Sequence, residues 1–152
     1  MLIAVAHAVV RPPQGPPKVP TATVVMSTES TPQAEVLPTE TEDLGWAVAR
    51  FNEGAAFIDA RPHAQYLESH IQNAWSLPFE ALLKGRPEVL DFIDPNGLAI
   101  IYCGGGDCDA SHKVMEMLQS FGYQKLIVFK PGFPAWQQAG HPVDSGPGLQ
   151  GS

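Results

Sequence analysis

The chain has 152 residues, 44% of them hydrophobic, which suffices for one sizeable core and one domain. Nine Lys and Arg against sixteen Asp and Glu give a formal charge of -7, and no basic stripe runs along any segment, so the balance argues against nucleic acid as a partner. Two cysteines are too few for a disulfide scaffold, and no CxxC pair or histidine spacing offers a metal site, so no cofactor or metal is expected.

The opening MLIAVAHAVV is apolar but too short to span a bilayer, and it lacks the basic flank of a signal peptide. Cytoplasm is the default compartment; a fusion or tether to a membrane segment in a longer protein, or a periplasmic site, is the alternative. Residues 11–40 are rich in Pro, Thr, Ser and Glu without sustained periodicity. They read as a linker with one short strand or disorder at Ala22–Met26. The expected organisation is an N-terminal segment over 1–39, one domain over 40–144 and a flexible tail over 145–152.

Within that domain, Leu44, Ala47, Val48 and Phe51 lie along one face of a helix capped by Thr41 and ended at Asn52 and Gly54. AAFIDA is a short buried strand that finishes near Asp59 and Arg61. HAQYLESH follows Pro62 as a short helix, IQNAWSLP is extended, and FEALLKG and PEVLDFI are further short helices before the DPNG turn. LAIIYC is the clearest central strand, SHKVMEML opens an amphipathic helix, KLIVF is another strand and PGFPAWQQAG turns into a last brief helix. Strands alternating with helices predict an α/β domain with a mainly parallel sheet, whose ligand site lies beyond the carboxyl ends of its strands.

The segment CGGGDCDAS stands at such an end. Glycines after Cys103 can turn their N–H groups toward a common point, and a helix N-terminus follows, so a thiolate there is stabilised and nucleophilic. The competing reading is a buried small hydrophobe beside a flexible turn. Cys108 is a resolving thiol, a second sulfur carrier, a disulfide partner or a passive loop residue. A disulfide requires the loop to fold back until the Cα atoms are about 4.4–6.8 Å apart. Asp59 orients the loop or ends a strand; Arg61 holds an anionic substrate or pairs with a surface carboxylate. His70 is read as structural, and His112 and Lys113 as a source of positive potential or as solvent-facing. The run also lacks the Lys and Ser/Thr of a phosphate-binding loop.

FIDARPHAQYLESHIQNAWSLP, IIYCGGGDCDAS and VFKPGFPAWQQAGHPV, in this order over residues 40–144, resemble the rhodanese-like domain family. The resemblance implies a doubly wound α/β fold with a mainly parallel central sheet flanked by helices. It implies that Cys103 accepts sulfane sulfur as a persulfide and passes it to cyanide, a thiol or a protein thiol. The N–H groups of Gly104, Gly105, Gly106, Asp107, Cys108 and Asp109 would then cradle the sulfur. Asp59 and Arg61 match the first signature of the family, His70 and Ile71 the next, and Gly132, Ala135 and Trp136 the last. Ser111 follows Cys103 by eight positions, two more than the usual loop gives, and no arginine intervenes. Two aspartates and Cys108 stand there instead, so thiosulfate, a dianion, is expected to be a weak substrate. The leading expectation is sulfur transfer through Cys103; the rivals are a thiol-disulfide or persulfide reductase using Cys103 and Cys108, and a noncatalytic interaction or sensing module.

Overall fold

Short apolar runs bounded by turn residues become strands, and the amphipathic runs between them become helices. The computed structural model describes residues 37–150. In chain order it has β1 (Glu40–Thr41), α1 (Leu44–Asn52), β2 (Ala56–Asp59), α2 (His63–Glu68), β3 (His70–Ile71), β4 (Trp75–Ser76) and α3 (Phe79–Leu82). A 3-10 turn over Glu88–Phe92 leads to β5 (Leu98–Tyr102), α4 (Asp109–Ser120), β6 (Lys125–Phe129), α5 (Gly132–Gln138) and β7 (Val143–Asp144). The strand considered at Ala22–Met26 lies outside the described residues. No helix among them is long and apolar enough to cross a membrane.

The main sheet is parallel throughout, in the order β1-β6-β5-β2-β4. β3 and β7 form a separate antiparallel pair. Side chains on successive strand residues point to opposite faces, which divides the core in two. Ile58, Ala99, Ile101, Cys103 and Val128 pack on one face with Leu82, Val114, Met115 and Leu118. Phe57, Ile100, Tyr102 and Phe129 pack on the other with Ala47, Tyr66 and Trp136. Helices therefore cover both faces, as the sequence predicts. Both faces of the central strand are dry because Ala99 through Tyr102 are all 0% exposed.

Two local expectations change. Thr41 does not cap α1: it is drawn into β1 opposite Phe129, and its hydroxyl accepts from the Asp43 N–H at 3.1 Å. Asp43 is the cap, with its carboxylate accepting from the Trp46 N–H at 3.0 Å. PEVLDFI makes only a 3-10 turn, because the Tyr123 hydroxyl donates to the Leu90 and Ile93 carbonyls at 2.7 and 3.1 Å and so takes the place of a further helical turn. After β7 the Gly146 N–H donates to the Leu67 carbonyl at 2.8 Å. Gly148 there lies so close to the Tyr66 hydroxyl that a side chain would collide with it.

Parallel register decides where the chemistry can sit. Asp59 pairs with Tyr102, and Tyr102 with Phe129, so β2, β5 and β6 end side by side. Ala60, Cys103 and Lys130 are the next residues at that edge.

Candidate active site

Cys103 leaves β5 at the carboxyl edge and is only 2% exposed. Its carbonyl accepts from the Phe133 N–H at 2.9 Å, which ties the start of the cysteine loop to the turn between β6 and α5. Gly132 in that turn has φ +64°, and a Cβ on it would strike the Cys103 carbonyl oxygen and lie 2.6 Å from the Gly105 nitrogen. Gly105, at φ +85°, is equally confined: a Cβ there would stand 2.7 Å from the Pro131 carbonyl oxygen. Gly106 is also left-handed, at φ +66°, but faces open space. Two successive left-handed residues reverse the loop, a path open to glycine and strained for other residues.

The reversal brings the cysteines together. Their Cα atoms are 6.5 Å apart and their sulfurs are joined as a disulfide, which leaves the chain no free cysteine. Cys108 is the N-cap of α4, and its side chain makes no capping hydrogen bond. The helix thus begins two residues earlier than SHKVMEML suggests. Ser111 in its first turn donates from Oγ to the Cys108 carbonyl at 3.3 Å, and Asp109 is its first residue. Gly104, Gly106, Asp107 and Asp109 form the exposed outer side of the loop.

Asp59 and Arg61 form a buried unit next to Cys103's neighbour Tyr102. The Asp59 carboxylate, 0% exposed, accepts from the Arg61 N–H at 2.9 Å, from Nε at 3.0 and 3.1 Å and from Nη2 at 2.6 Å. Nη2 also donates to the Ser69 carbonyl at 2.7 Å, and the guanidinium lies 4.1 Å from the Phe133 ring centroid. Burial alone would lower the Arg61 pKa, but the hydrogen bond and charge of Asp59 outweigh it and the net shift is upward. Tyr102 is pushed well above the ordinary phenol range by burial and by the Asp59 charge, and its hydroxyl accepts from the Ile71 N–H at 3.1 Å. His70 is 0% exposed, donates from Nδ1 to the Tyr66 carbonyl at 2.8 Å and stacks on the Tyr66 ring at 3.7 Å. Its Nε2 is buried without a partner.

Three basic side chains near the loop have neighbours of their own. Lys130, one residue past β6, pairs with Glu42 at 3.2 Å and Glu40 at 3.7 Å. Its pKa is raised by the hydrogen bond to Glu42 first, then by the charges of Glu40, Glu42 and Asp107. His112 meets Glu40 at 3.2 Å, and Lys113 lies 5.9 Å from the Phe79 ring centroid. The structure therefore brings Cys103, Cys108, the glycines, Asp107, Asp109 and Ser111 into one loop and helix start. It places Asp59, Arg61 and His70 in the buried polar support beside it. Pattern reading missed the Phe133 N–H, the Pro131 carbonyl and the Lys130–Glu40–His112 group. The Pro-Gly pair after KLIVF was the one available signal, since a turn there must lie at the same sheet edge as Cys103.

A cleft of about 860 Å³ lies elsewhere, lined by Ala56, Trp75, Phe92 and Leu98. Ala56, Trp75 and Leu98 begin β2, β4 and β5, so this cleft is at the amino edge of the sheet, away from the cysteines.

The parallel sheet flanked by helices accords with the comparisons with known proteins. The model of the rhodanese-like domain matches residues 43–139, and the chain belongs to the rhodanese-like domain family. Over 94 residues it is 32% identical to the thiosulfate sulfurtransferase GlpE of Actinobacillus pleuropneumoniae, covering 62% of this chain and 82% of that protein. The solution structure of the rhodanese-like domain of the Alr3790 protein from Anabaena sp. is similar with a TM-score of 0.58 at 22% identity, over 72% of this chain and 80% of that one. The BH2092 protein from Bacillus halodurans superposes with a TM-score of 0.57 at 23% identity, over 75% and 80% of the two chains. These two likenesses concern the fold alone.

Proposed function

We propose that this rhodanese-like domain is an enzyme that exchanges sulfur and electrons with thiols through the Cys103–Cys108 pair. The observation that carries the reading is the reversal of the loop that unites the two sulfurs, with Cα atoms 6.5 Å apart. In the reduced chain the two thiols convert a persulfide R-S-SH to R-SH and hydrogen sulfide; the pair gives up two electrons and two protons and closes as a disulfide. A mixed disulfide is reduced to two thiols by the same step. Two equivalents of an external thiol reopen the pair and leave as their own disulfide.

Charge supports thiol-borne sulfur over thiosulfate. Asp107 and Asp109 are exposed on the loop, Lys130 and His112 are engaged by Glu40 and Glu42, and the Arg61 guanidinium is held by Asp59. A dianion approaching Cys103 meets carboxylates first. The competing reading is a relay in which Cys103 alone carries the sulfur to cyanide, a thiol or a protein thiol. It draws on the 32% identity to a thiosulfate sulfurtransferase.

Intact-mass analysis of reduced wild type, Cys103→Ser and Cys108→Ser after polysulfide or thiosulfate separates them. The two-cysteine reading expects loss of two hydrogens with sulfide release, dependent on both cysteines. A stable gain of one sulfur in wild type and equally in Cys108→Ser would establish the relay instead. A Cys103 that gains neither sulfur nor a disulfide would leave an interaction module.

A further inference from the structure

We propose that the cysteine loop selects its reductant by charge: the thiol that reopens the Cys103–Cys108 disulfide carries a positive group close to its sulfur, and Asp107 and Asp109 turn anionic thiols away. This deepens the two-cysteine reading and rests on it.

A reopening thiol meets the loop with its disulfide closed, the state in which the two sulfurs are joined here. The charges around that closed ring are therefore the ones it encounters. Asp107 and Asp109 flank Cys108 directly in the chain, where consecutive Cα atoms are about 3.8 Å apart. Both are exposed on the outer side of the loop. No Lys, Arg or His occurs from Cys103 through Ser111.

The cations nearby do not reverse this sign. Lys130 acts on Asp107, but its ammonium pairs with Glu42 at 3.2 Å and Glu40 at 3.7 Å. His112 meets Glu40 at 3.2 Å. Arg61 is held by the Asp59 carboxylate and is 7% exposed. Lys113, in the first turns of α4, is the other ammonium at this edge. With His112 neutral, Asp107, Asp109, Glu40 and Glu42 face two ammonium groups. The N-terminus of α4 offsets only about half a charge, so the edge stays negative.

Reopening brings thiolates to this edge twice. R-S⁻ attacks one sulfur of the pair, an R-S–Cys bond forms, the Cys103–Cys108 bond breaks and the other cysteine leaves as a thiolate. A second R-S⁻ attacks the R-borne sulfur, R-S-S-R departs and the remaining cysteine is released as a thiolate. Two electrons have passed from the two R-S⁻ to the pair. An aminothiol attacks as a zwitterion without net charge, a hydroxythiol with one negative charge and a thiol sulfonate with two. Near a carboxylate about 7–8 Å away in water, each unit of charge changes the rate roughly two- to threefold. Two carboxylates, partly offset by the cations, give on the order of tenfold between the aminothiol and the sulfonate at low salt.

The test follows reopening of the oxidised wild-type chain by cysteamine, mercaptoethanol and mercaptoethanesulfonate at neutral pH, with acid quenching, alkylation and intact mass as the readout. Each rate is divided by that of the same thiol with the uncharged disulfide of mercaptoethanol, so that thiolate fraction and intrinsic nucleophilicity cancel. The normalised rates should fall in the order cysteamine, mercaptoethanol, mercaptoethanesulfonate, with on the order of tenfold between the ends at about 10 mM salt. Roughly 0.5 M sodium chloride should compress the spread, and the Asp107→Asn, Asp109→Asn double variant should bring it toward unity. Equal normalised rates, or a spread that neither salt nor the double variant reduces, overturn the charge selection. An oxidised chain that none of the three thiols reopens overturns the two-cysteine reading instead.

Discussion

Replacing the three loop glycines one at a time by alanine is expected to give three different outcomes. At Gly105 the left-handed backbone costs an L-residue about 1–2 kcal/mol. The new Cβ also lies 2.7 Å from the Pro131 carbonyl oxygen, a backbone atom that no rotamer change can move. A total loss of about 2–3 kcal/mol follows for Gly105→Ala, against a whole-domain stability of about 5–15 kcal/mol. Gly106→Ala has the strained backbone, φ +66°, but no neighbour within 4 Å, so about 1–2 kcal/mol is lost. Gly104 has neither a left-handed φ nor a neighbour within 4 Å. Gly104→Ala is expected to be neutral or to stabilise by up to about 1 kcal/mol through the unfolded chain. Urea unfolding of the reduced proteins reads these values, since slopes of about 1–3 kcal/mol per molar turn 2 kcal/mol into a midpoint shift on the order of 1 M. The chemistry should follow the same order. The cysteine Cα atoms are already 6.5 Å apart, near the upper end of about 6.8 Å for a disulfide, so a Gly105→Ala loop that backs away from Pro131 should close its disulfide more slowly. Equal losses at all three positions, or the largest loss at Gly104, would refute the reasoning.

Two further outcomes concern the buried support. Asp59→Asn removes the charge facing an Arg61 that is 7% exposed, and leaving a buried cation without its counter-ion costs on the order of 3–5 kcal/mol; thermal or urea unfolding at neutral pH measures it. Tyr66 is pushed up to about 12 by burial first, then by the charges of Asp59 and Asp144. In the unfolded chain it titrates near 10. Between those values the unfolded state has lost a proton that the folded state keeps, so this contribution to stability is full below about pH 10 and falls as the pH rises toward 12. A plot of unfolding free energy against pH should therefore slope downward less steeply over that interval in Tyr66→Phe than in wild type; parallel curves would exclude the effect.

Apolar runs and turn residues carried most of the fold. LAIIY and KLIVF are short apolar runs that form strands here, and the glycines and prolines around them mark the turns. What escaped pattern reading depends on partners far away in sequence. β1 has only two residues and no periodicity; it exists because the Thr39 and Thr41 carbonyls accept from the Val128 and Lys130 N–H groups at 2.9 and 3.0 Å. That pairing withdraws Thr41 from the helix cap and leaves Asp43 in its place. In the site, Cys103 was legible because a cysteine directly after a central strand and before glycines sits at the reactive edge. For Arg61 the sequence offers a substrate anion or a surface carboxylate; in the structure its guanidinium meets the buried carboxylate of Asp59, two residues before it. The position of Cys108 was not legible, because only a helix beginning at Asp109 makes it the cap. The engagement of Lys130 by Glu40 spans ninety positions, which no local pattern can encode.

The closed ring also bears on survival under oxidant. A thiolate exposed to peroxide passes through sulfenic acid toward sulfinic and sulfonic acids, and the last steps are not undone by ordinary thiols. Sulfurs already joined to each other offer no thiolate for the first step, and the 2% exposure of Cys103 shields that side of the bond. On the two-cysteine reading proposed above, the disulfide of this loop is a storage form: it can wait through conditions that would destroy a lone active-site cysteine and return to work when a thiol reopens it.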